Sequence, residues 1–418
     1  MYTIFSEHGI EKKTYATMRT KVRAYTKKLS RAVKSTGYTT PESSLALAYD
    51  TRYQNALIKA IAPFKKVSHV VLIGIGGSSL GTEAVYAALA PHNAPTLTVL
   101  DSIDDEAQSI LASDLKKVRS AKDIAIVIVT KSGTTTETLV NASEALKILE
   151  RRFGSSVTKQ VLCVGDADTP FHAYAKAAKY TFIAIPTMVG GRYSVFSASS
   201  MVPLALLGID TAALRAGARA ALTAEGLTAA AARAAVLATY ATTGTRIVNF
   251  FTFNDRLEKL GYWYRQLLAE SIGKEITTKG DLFSQSLLPV VSTSADLHSM
   301  TQLYLSGYKH TYTRFVYAPQ GQSRRITAHP LLAPLPFLEK HTLHDVRTAI
   351  KDGVLQAYNE RGLPYQYTEL PSLNAHEVGN LLASLMSETM ILASALAVNA
   401  FDQPNVELYK KYMRTALK

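Results

Sequence analysis

Short runs of apolar, mostly β-branched residues alternate with helical patterns along most of this chain. The runs in the first half are HVVLI (69–73), TLTVL (96–100), IAIVIV (124–129), QVLCV (160–164) and TFIAI (181–185). Strands that are apolar without interruption are buried on both faces, which is typical of a parallel sheet covered by helices. Between these runs, stretches such as ETLVNASEALKILERR repeat their apolar residues at the period of a helix.

A second group of strands is predicted after an alanine-rich segment at 212–243, whose composition favours a helix. These strands are LLPVV (287–291), RFVYA (314–318) and YQYTEL (365–370). From Asn374 onward the pattern predicts one long apolar helix, a turn in NAFDQPNVE and a short basic helix.

The order of these elements predicts an α/β fold with two doubly wound parallel-sheet domains and a C-terminal helical tail. The expected divisions are an N-terminal helical segment at 1–40, a first domain at 41–205, a second domain at 206–385 and the tail at 386–418. A chain of 418 residues is long enough for two such domains.

Composition narrows the class of protein. Hydrophobic residues make up 47% of the chain and charged residues 19%, which argues against intrinsic disorder. Cys163 is the one cysteine, so a disulfide framework is excluded and a reducing, cytoplasmic location is expected. The N-terminus becomes polar too early for a signal peptide. The apolar stretch 389–398 is far shorter than the ~20 residues that span a bilayer, so we expect a buried helix and no membrane association.

The net charge of +13 has several interpretations. Lysines and arginines are scattered, with one concentration in KKTYATMRTKVRAYTKKLSR, which predicts an amphipathic surface helix with a solvated basic face. No aromatic–basic interleaving accompanies it, so a nucleic-acid partner is not expected. A positive field could instead concentrate an anionic substrate.

A glycine-rich loop, GIGGSSLGT (74–82), follows the first predicted strand. It satisfies neither the dinucleotide fingerprint nor the P-loop pattern, because Ser79 and Thr82 stand where those motifs need glycine and lysine. Glycines such as Gly77 let the backbone approach an anion, and Ser78 adds a hydroxyl donor at the start of a helix. The loop therefore indicates a phosphate site without nucleotide chemistry, although a tight turn without a ligand has the same pattern.

A second polar loop, TKSGTTTE (130–137), follows the third predicted strand. Thr130, Lys131, Ser132 and Thr135 could surround a phosphate with donors, and the lysine matches its charge. An N-capping run is the alternative. Because ligands bind at the carboxyl ends of parallel strands, two such loops at neighbouring strand ends favour the phosphate site.

GIGGSS and TKSGTTTET together resemble the paired loops of sugar-isomerase (SIS) domains. Four further stretches resemble, in the same chain order, those of the bacterial type of the phosphoglucose isomerase family: GGRYSVFSA (190–198), QLLAESIGKE (266–275), DLHSMTQLYLSG (296–307) and FDQPNVELYKKYM (401–413). The resemblance runs from about residue 70 to the C-terminus, and its later motifs are far more specific than the glycine loops.

The later motifs also have a physical interpretation. A helix is predicted to end near Glu270, with Gly273 as a left-handed cap, and Gln266 shares the face of Glu270. There the helix dipole opposes the carboxylate charge, which suits proton abstraction beside a carbonyl. His298 is predicted in the first turn of another helix. Taken alone, an exposed glutamate and a structural histidine remain alternatives.

The resemblance implies a role for each matching position. Gly77, Ser78, Thr130, Lys131, Ser132 and Thr135 would hold the phosphate, and Gln266 and Gln403 would contact the substrate. His298 and Lys410 would assist ring opening. Glu270 would move the proton between C2 and C1, and Arg192 would stabilise a cis-enediolate. The resemblance further implies a homodimer with His298 donated across the interface, no cofactor and no metal.

The chain departs from the family pattern at a few positions. Thr187 stands where the family usually has an acidic or amide residue three positions before the first glycine of GGR. Ala400 and Asn405 replace a usual proline and glycine in the terminal motif, and we expect Asn405 to adopt the left-handed backbone that glycine allows.

Four functions therefore compete. The first is the interconversion of glucose 6-phosphate and fructose 6-phosphate. A sugar-phosphate-binding regulator would lack Glu270, His298 or Arg192, and all three are present. An isomerase of another sugar phosphate, such as mannose 6-phosphate, shares the open-chain chemistry and is not separated by sequence. A nucleic-acid binder rests on charge alone.

Overall fold

The computed structural model describes residues 1–6, 8–64, 66–307, 309–319 and 321–417. Its N-terminal part contains strand β1 (Tyr2–Phe5) and helices α1 (Lys12–Ala32) and α2 (Thr51–Ile61). The short strand lies inside the segment that was expected to be helical. It pairs with a strand near the C-terminus, so the two ends of the chain meet in one sheet.

The first sheet contains five parallel strands: β2 (His69–Ile73), β3 (Thr96–Leu100), β4 (Ile124–Val129), β5 (Val161–Gly165) and β6 (Thr181–Ala184). Their order is β3-β2-β4-β5-β6. The helices that connect them are α3 (Leu80–Leu89), α4 (Asp105–Leu115), α5 (Thr136–Phe153) and α6 (Pro170–Ala177). The strands of the apolar runs thus lie where the sequence predicts them, within one residue at each end.

Helices α7 (Ala198–Leu206), α8 (Thr211–Ala221) and α9 (Ala224–Thr242) lead to the second sheet. Its strands are β7 (Ile247–Thr252), β8 (Leu288–Thr293), β9 (Thr311–Tyr317) and β10 (Tyr365–Glu369), in the order β1-β10-β9-β7-β8. Only β1 is antiparallel to its neighbour. The remaining helices are α10 (Glu258–Ile272), α11 (Leu343–Glu360), α12 (Ala375–Ala395) and α13 (Val406–Ala416).

The two sheets share a strand order. In each sheet the first parallel strand, β2 or β7, lies between the second and the third, and the fourth lies outside the third. The predicted fold of two parallel-sheet units with a C-terminal helix is therefore confirmed. The sequence analysis missed β7, the strand between β8 and β9.

Helix α12 forms the core between the helical layers. It packs on α8, where a Cβ on Gly379 would lie 1.9 Å from the carbonyl oxygen of Leu214. A Cβ on Gly217 would lie 1.7 Å from the carbonyl oxygen of His376, so glycines on both helices let the backbones touch. By length and apolar composition α12 could cross a membrane, but 89% of its apolar window is buried inside the protein. The buried helix predicted for 389–398 is thus found for residues 389–395, the last part of α12, and the helix ends at Ala395.

Three local predictions were wrong. Gly273 ends α10 with φ −73°, which is not left-handed; glycine fits there because a Cβ would lie 2.5 Å from the carbonyl oxygen of Ala269. Asn405 has φ −70°, an ordinary helical value, so replacing glycine there causes no strain. Residues 294–307 form a 3₁₀ turn at Ser294–His298 and a π turn at Leu303–Gly307 instead of one helix, which places His298 at the end of a turn.

Candidate active site

The loop after β2 forms a 3₁₀ turn at Gly76–Ser78 that leads into α3. Gly76 has φ +60°, a conformation that residues with a Cβ rarely adopt. Ser78 is half-buried, and behind it the Oγ of Ser79 is buried and has no hydrogen-bond partner in the described part of the chain. Hydroxyl groups and the start of a helix thus meet at the carboxyl end of β2, an arrangement suited to an anion.

The loop after β4 lies beside it, because β4 pairs directly with β2. Thr130 is buried and its Oγ1 donates to Oγ1 of Thr135 at 3.3 Å, whereas Ser132 is exposed. Nζ of Lys131 donates to the carbonyl oxygen of Thr187 at 2.7 Å. Since Thr187 contributes its backbone, its departure from the family pattern leaves this contact intact.

Gly77 joins the first loop to the segment that carries Arg192. A Cβ on Gly77 would lie 2.3 Å from the carbonyl carbon of Gly191, which no side chain could tolerate without a backbone shift. The hydroxyl of Ser194 also donates to the carbonyl oxygen of Gly77 at 3.1 Å. The close approach of Gly77 to Gly191 fixes the distance between the first loop and the guanidinium of Arg192.

Arg192 is 3% exposed and its donors are engaged by the protein. Nη1 donates to Oε2 of Glu270 at 3.0 Å and to Oε1 of Gln403. Nη2 donates to the carbonyl oxygens of Ala400 at 2.6 Å and Asp402 at 3.0 Å. The arginine therefore holds both the glutamate and the turn at residues 400–403.

Gln266 connects the glycine-rich loop after β2 to Glu270. As the four-residue spacing indicates, the two side chains share a face of α10, and Nε2 of Gln266 donates to Oε1 of Glu270 at 2.9 Å. The same Nε2 lies 2.9 Å from the position a Cβ would take on Gly76. Oε1 of Gln266 is buried and has no hydrogen-bond partner among the described residues.

Two opposing fields act on Glu270, whose side chain is 29% exposed. The C-terminal end of α10 disfavours its negative charge, as the sequence indicates, whereas the buried guanidinium of Arg192 favours it. The carboxylate thus lies at the edge of the protein interior, in contact with a cation and open to solvent on one side.

Lys274 is a site residue that the sequence analysis missed. Its Nζ donates to the carbonyl oxygen of Glu270 at 2.8 Å and to that of Asp402, and it lies 2.8 Å from Oδ1 of Asp402. The side chain is 9% exposed, and burial lowers the pKa of Lys274 despite the neighbouring carboxylate. Its position four residues after Glu270, beside the helix end, was the available signal.

Two predicted catalytic residues, His298 and Lys410, do not join this cluster within the described part of one chain. His298 is exposed, and in the described ranges no hydrogen bond or ion pair links it to Arg192 or Glu270. Lys410 pairs with Glu407 of its own helix at 2.7 Å. The structure thus brings together the two loops, Arg192, Gln266, Glu270 and Gln403, but not His298 and Lys410.

Within the residues that the structure describes, no group of three or more histidine, cysteine, aspartate or glutamate side chains could hold a metal ion. The hydroxyl and lysine donors of the two loops suit an anion, and the Arg192–Glu270 pair suits proton transfer beside a carbonyl. Independence from metal remains a prediction.

Comparison with known proteins gives the same family as the sequence motifs. Residues 58–418 match the family described as phosphoglucose isomerase. The glucose-6-phosphate isomerase of Carboxydothermus hydrogenoformans is 32% identical over 366 residues, which cover 83% of this chain and 78% of that protein.

Solved structures show the same fold. A hypothetical protein from Thermus thermophilus has a TM-score of 0.85 at 28% identity, with 96% of each chain covered. A glucose-6-phosphate isomerase from Chlamydia trachomatis has a TM-score of 0.73 at 19% identity and covers 93% of this chain and 77% of its own.

Proposed function

This chain belongs to the phosphoglucose isomerase family and isomerises glucose 6-phosphate and fructose 6-phosphate, and we propose that it does so through ring opening and a cis-enediolate with Glu270 as the base. The observation that carries the mechanism is the chain of contacts from Gly76 through Gln266 to Glu270 and Arg192. It sets the spacing between a phosphate loop and a carboxylate, as a single sugar phosphate requires.

The two loops bind the phosphate in this mechanism. The hydroxyls of Ser78, Thr130, Ser132 and Thr135 donate to its oxygens, and Lys131 balances its charge. Anchoring the phosphate fixes the distant end of the sugar, so that C1 and C2 lie against Glu270 and the reaction becomes effectively unimolecular.

Proton transfer follows ring opening. Glu270 takes the proton from C2, the electron pair forms the C1–C2 double bond, and O1 becomes anionic. The proton of the O2 hydroxyl moves to O1, and the same carboxyl returns its proton to C1, so that O2 becomes the carbonyl oxygen and O1 a hydroxyl. Arg192 stabilises the oxyanion through its charge, and Gln266 contacts the substrate beside Glu270. Because Nη1 of Arg192 is engaged by Glu270 and Gln403, a substrate oxygen has to share or replace those contacts.

Ring opening requires groups that this chain does not bring to the site by itself. We therefore propose a homodimer in which His298 reaches the active site of the partner subunit, with Lys410 assisting. The exposure of His298 supports this arrangement. So does α13, which has no buried residue and exposes large apolar side chains such as Leu408 (59%) and Tyr412 (63%).

The decisive experiment converts fructose 6-phosphate to glucose 6-phosphate with the purified protein in chelator, with a coupled dehydrogenase as the readout. Turnover is expected without metal, and Glu270→Gln should lower kcat by about 10²–10⁴-fold while phosphate-ester binding stays intact. Binding without turnover in the parent protein would favour a regulator, and faster conversion of mannose 6-phosphate than of glucose 6-phosphate to fructose 6-phosphate would reassign the sugar.

A subunit-mixing experiment tests the shared site. Glu270→Gln and His298→Ala chains are each expected to be inactive, whereas unfolding and refolding them together should restore about a quarter of parental activity, because half of the dimers then contain one intact site. If both residues act within one chain, mixing restores nothing.

We also propose a cytoplasmic location, supported by the single cysteine, Cys163, which is buried and unpaired.

A further inference from the structure

The second sheet has a cavity lined in part by the loop after β7, the strand that corresponds to β2 of the first sheet. In the first sheet the phosphate loops follow β2 and β4. Strand β3 lies on one side of β2 and β4 lies on the other, so the direction in which strands are added reverses at this point. In the second sheet β7 and β9 take the places of β2 and β4, and the cavity uses the loop after β7 together with the loop after β8. Ligands of open parallel sheets bind in such crevices, at the carboxyl ends of the strands.

A cavity of about 250 Å³ lies there. Its lining includes Asn254, Asp255 and Arg256 after β7, Ser294 after β8 and Arg347 of α11. The volume is smaller than the roughly 300–1,000 Å³ of pockets for drug-sized ligands, so it suits a small ion or a short ester.

Arg347 presents an unpaired edge in this cavity's lining. Its Nε and Nη2 are buried and have no hydrogen-bond partner among the described residues. These two atoms form one side of the guanidinium fork, the side that binds carboxylate or phosphate oxygens in pairs. The Oγ of Ser294, in the same lining, is also buried and unpartnered. Buried charged donors without partners are costly, which a bound oxyanion would relieve.

The lining charges favour an anion. Arg347 and Arg256 contribute two positive charges against the one carboxylate of Asp255. Arg256 donates to the carbonyl oxygens of Ala87 at 3.3 Å and Ala90 at 2.9 Å, so its position is fixed by α3 of the first sheet's layer.

This cavity is distinct from the catalytic cluster. It lies at the beginning of α10, whereas Glu270 lies at the end of the same helix, and the helix rise places the two about 20 Å apart.

We propose that the cavity is a second anion site that binds a phosphate group, as inorganic phosphate or as a small phosphate monoester, through the Nε–Nη2 edge of Arg347 and the hydroxyl of Ser294. Phosphate is favoured over a carboxylate because the two guanidinium donors and the serine hydroxyl can each meet a separate oxygen of a phosphate group, whereas a carboxylate has only two oxygens.

The test is isothermal titration of the full-length protein with inorganic phosphate and, separately, with glycerol 3-phosphate. Lys131→Met removes the charge of the first site, and binding that remains in this variant is expected to weaken at least tenfold when Arg347→Met is added. Arg361→Met, at the exposed end of the same helix, is the matched control and should change nothing. The tighter of the two ligands identifies the source of the phosphate group.

Two results would overturn the proposal: no residual binding in Lys131→Met, or residual binding that survives Arg347→Met. Circular dichroism checks that each variant folds. If Arg347→Met does not fold, the same titration is made with Arg347→Lys, which keeps the charge but loses the paired donors of the guanidinium. Arg347→Met alone should retain kcat and KM for fructose 6-phosphate, because Arg347 lies outside the catalytic cluster. The binding result at this cavity therefore does not depend on whether the proposed isomerase mechanism is correct.

Discussion

Nη1 of Arg192 lies 3.0 Å from Oε2 of Glu270, and the guanidinium that makes this contact is almost fully buried while the carboxylate is partly open to solvent. The arginine comes from the turn after the first sheet and the glutamate from a helix of the second. One ion pair therefore joins the two halves of the chain at the proposed point of proton transfer.

Replacing Arg192 with lysine is expected to lower kcat about 100-fold or more, because an ammonium cannot reproduce the planar set of donors that face Glu270, Gln403 and the turn carbonyls. Steady-state kinetics on fructose 6-phosphate measures the effect. Arg265→Lys, on the exposed face of α10, is the control and should retain full activity. An Arg192→Lys enzyme within about threefold of the parent would remove the arginine from the mechanism.

Lys274 is expected to act by positioning the turn that carries Gln403. Lys274→Met and Asp402→Asn should each lower kcat/KM, because both changes break the same contact. The double variant should therefore lose less activity than the product of the two single effects, which corresponds to a coupling energy of about 0.5–3 kcal/mol. The kcat/KM values of the parent, the two single variants and the double variant give this coupling energy as a double-mutant cycle. The exposed Lys279, replaced by methionine, should combine additively with Asp402→Asn. Strict additivity for Lys274 as well would exclude this role.

The sequence predicts those parts of the site that depend on local pattern. Uninterrupted apolar runs identify the strands of the first sheet, and spacing along α10 places Gln266 on the face of Glu270. Strand β7 was missed because IVNFFT contains a polar Asn249, which lies fully buried in the sheet. Contacts between distant segments, such as Lys274 with Asp402, depend on tertiary packing and leave no local pattern.

Gly77→Ala is expected to abolish most activity, since its Cβ would meet the backbone of Gly191 at 2.3 Å and push Arg192 away from the phosphate loop. Gly190→Ala provides a matched control two positions before Arg192. Gly190 has φ −72° and nothing lies within 4 Å of its Cβ position, so its variant should keep activity. Coupled assays and melting temperatures for both variants test the expectation. Equal losses in the two variants would show that the loop is merely intolerant of side chains.

Stability toward acid is expected to depend on a buried cluster in which Glu388 pairs with Arg314 and, at 2.8 Å, with Arg233. Burial acts to raise the pKa of Glu388, but the charges and hydrogen bonds of the two arginines outweigh it and hold the pKa below the usual value for a glutamate. A carboxyl whose pKa is lowered by folding adds stability that is complete above its unfolded pKa and is lost as pH falls through the folded value.

Glu388→Gln should therefore lower the free energy of unfolding by about 3–5 kcal/mol at pH 7, because it leaves two buried guanidinium groups without their counter-charge. The difference from the parent should shrink as pH falls below the ordinary pKa of a glutamate, because the unfolded parent then gains a proton that the folded parent, with its lowered pKa, does not. Urea unfolding at pH 7, 5.5, 4 and 3 measures it, with Glu144→Gln, in an exposed ion pair, as the control. A difference that stays constant over this range would mean that packing, and not the charge of Glu388, provides the stability.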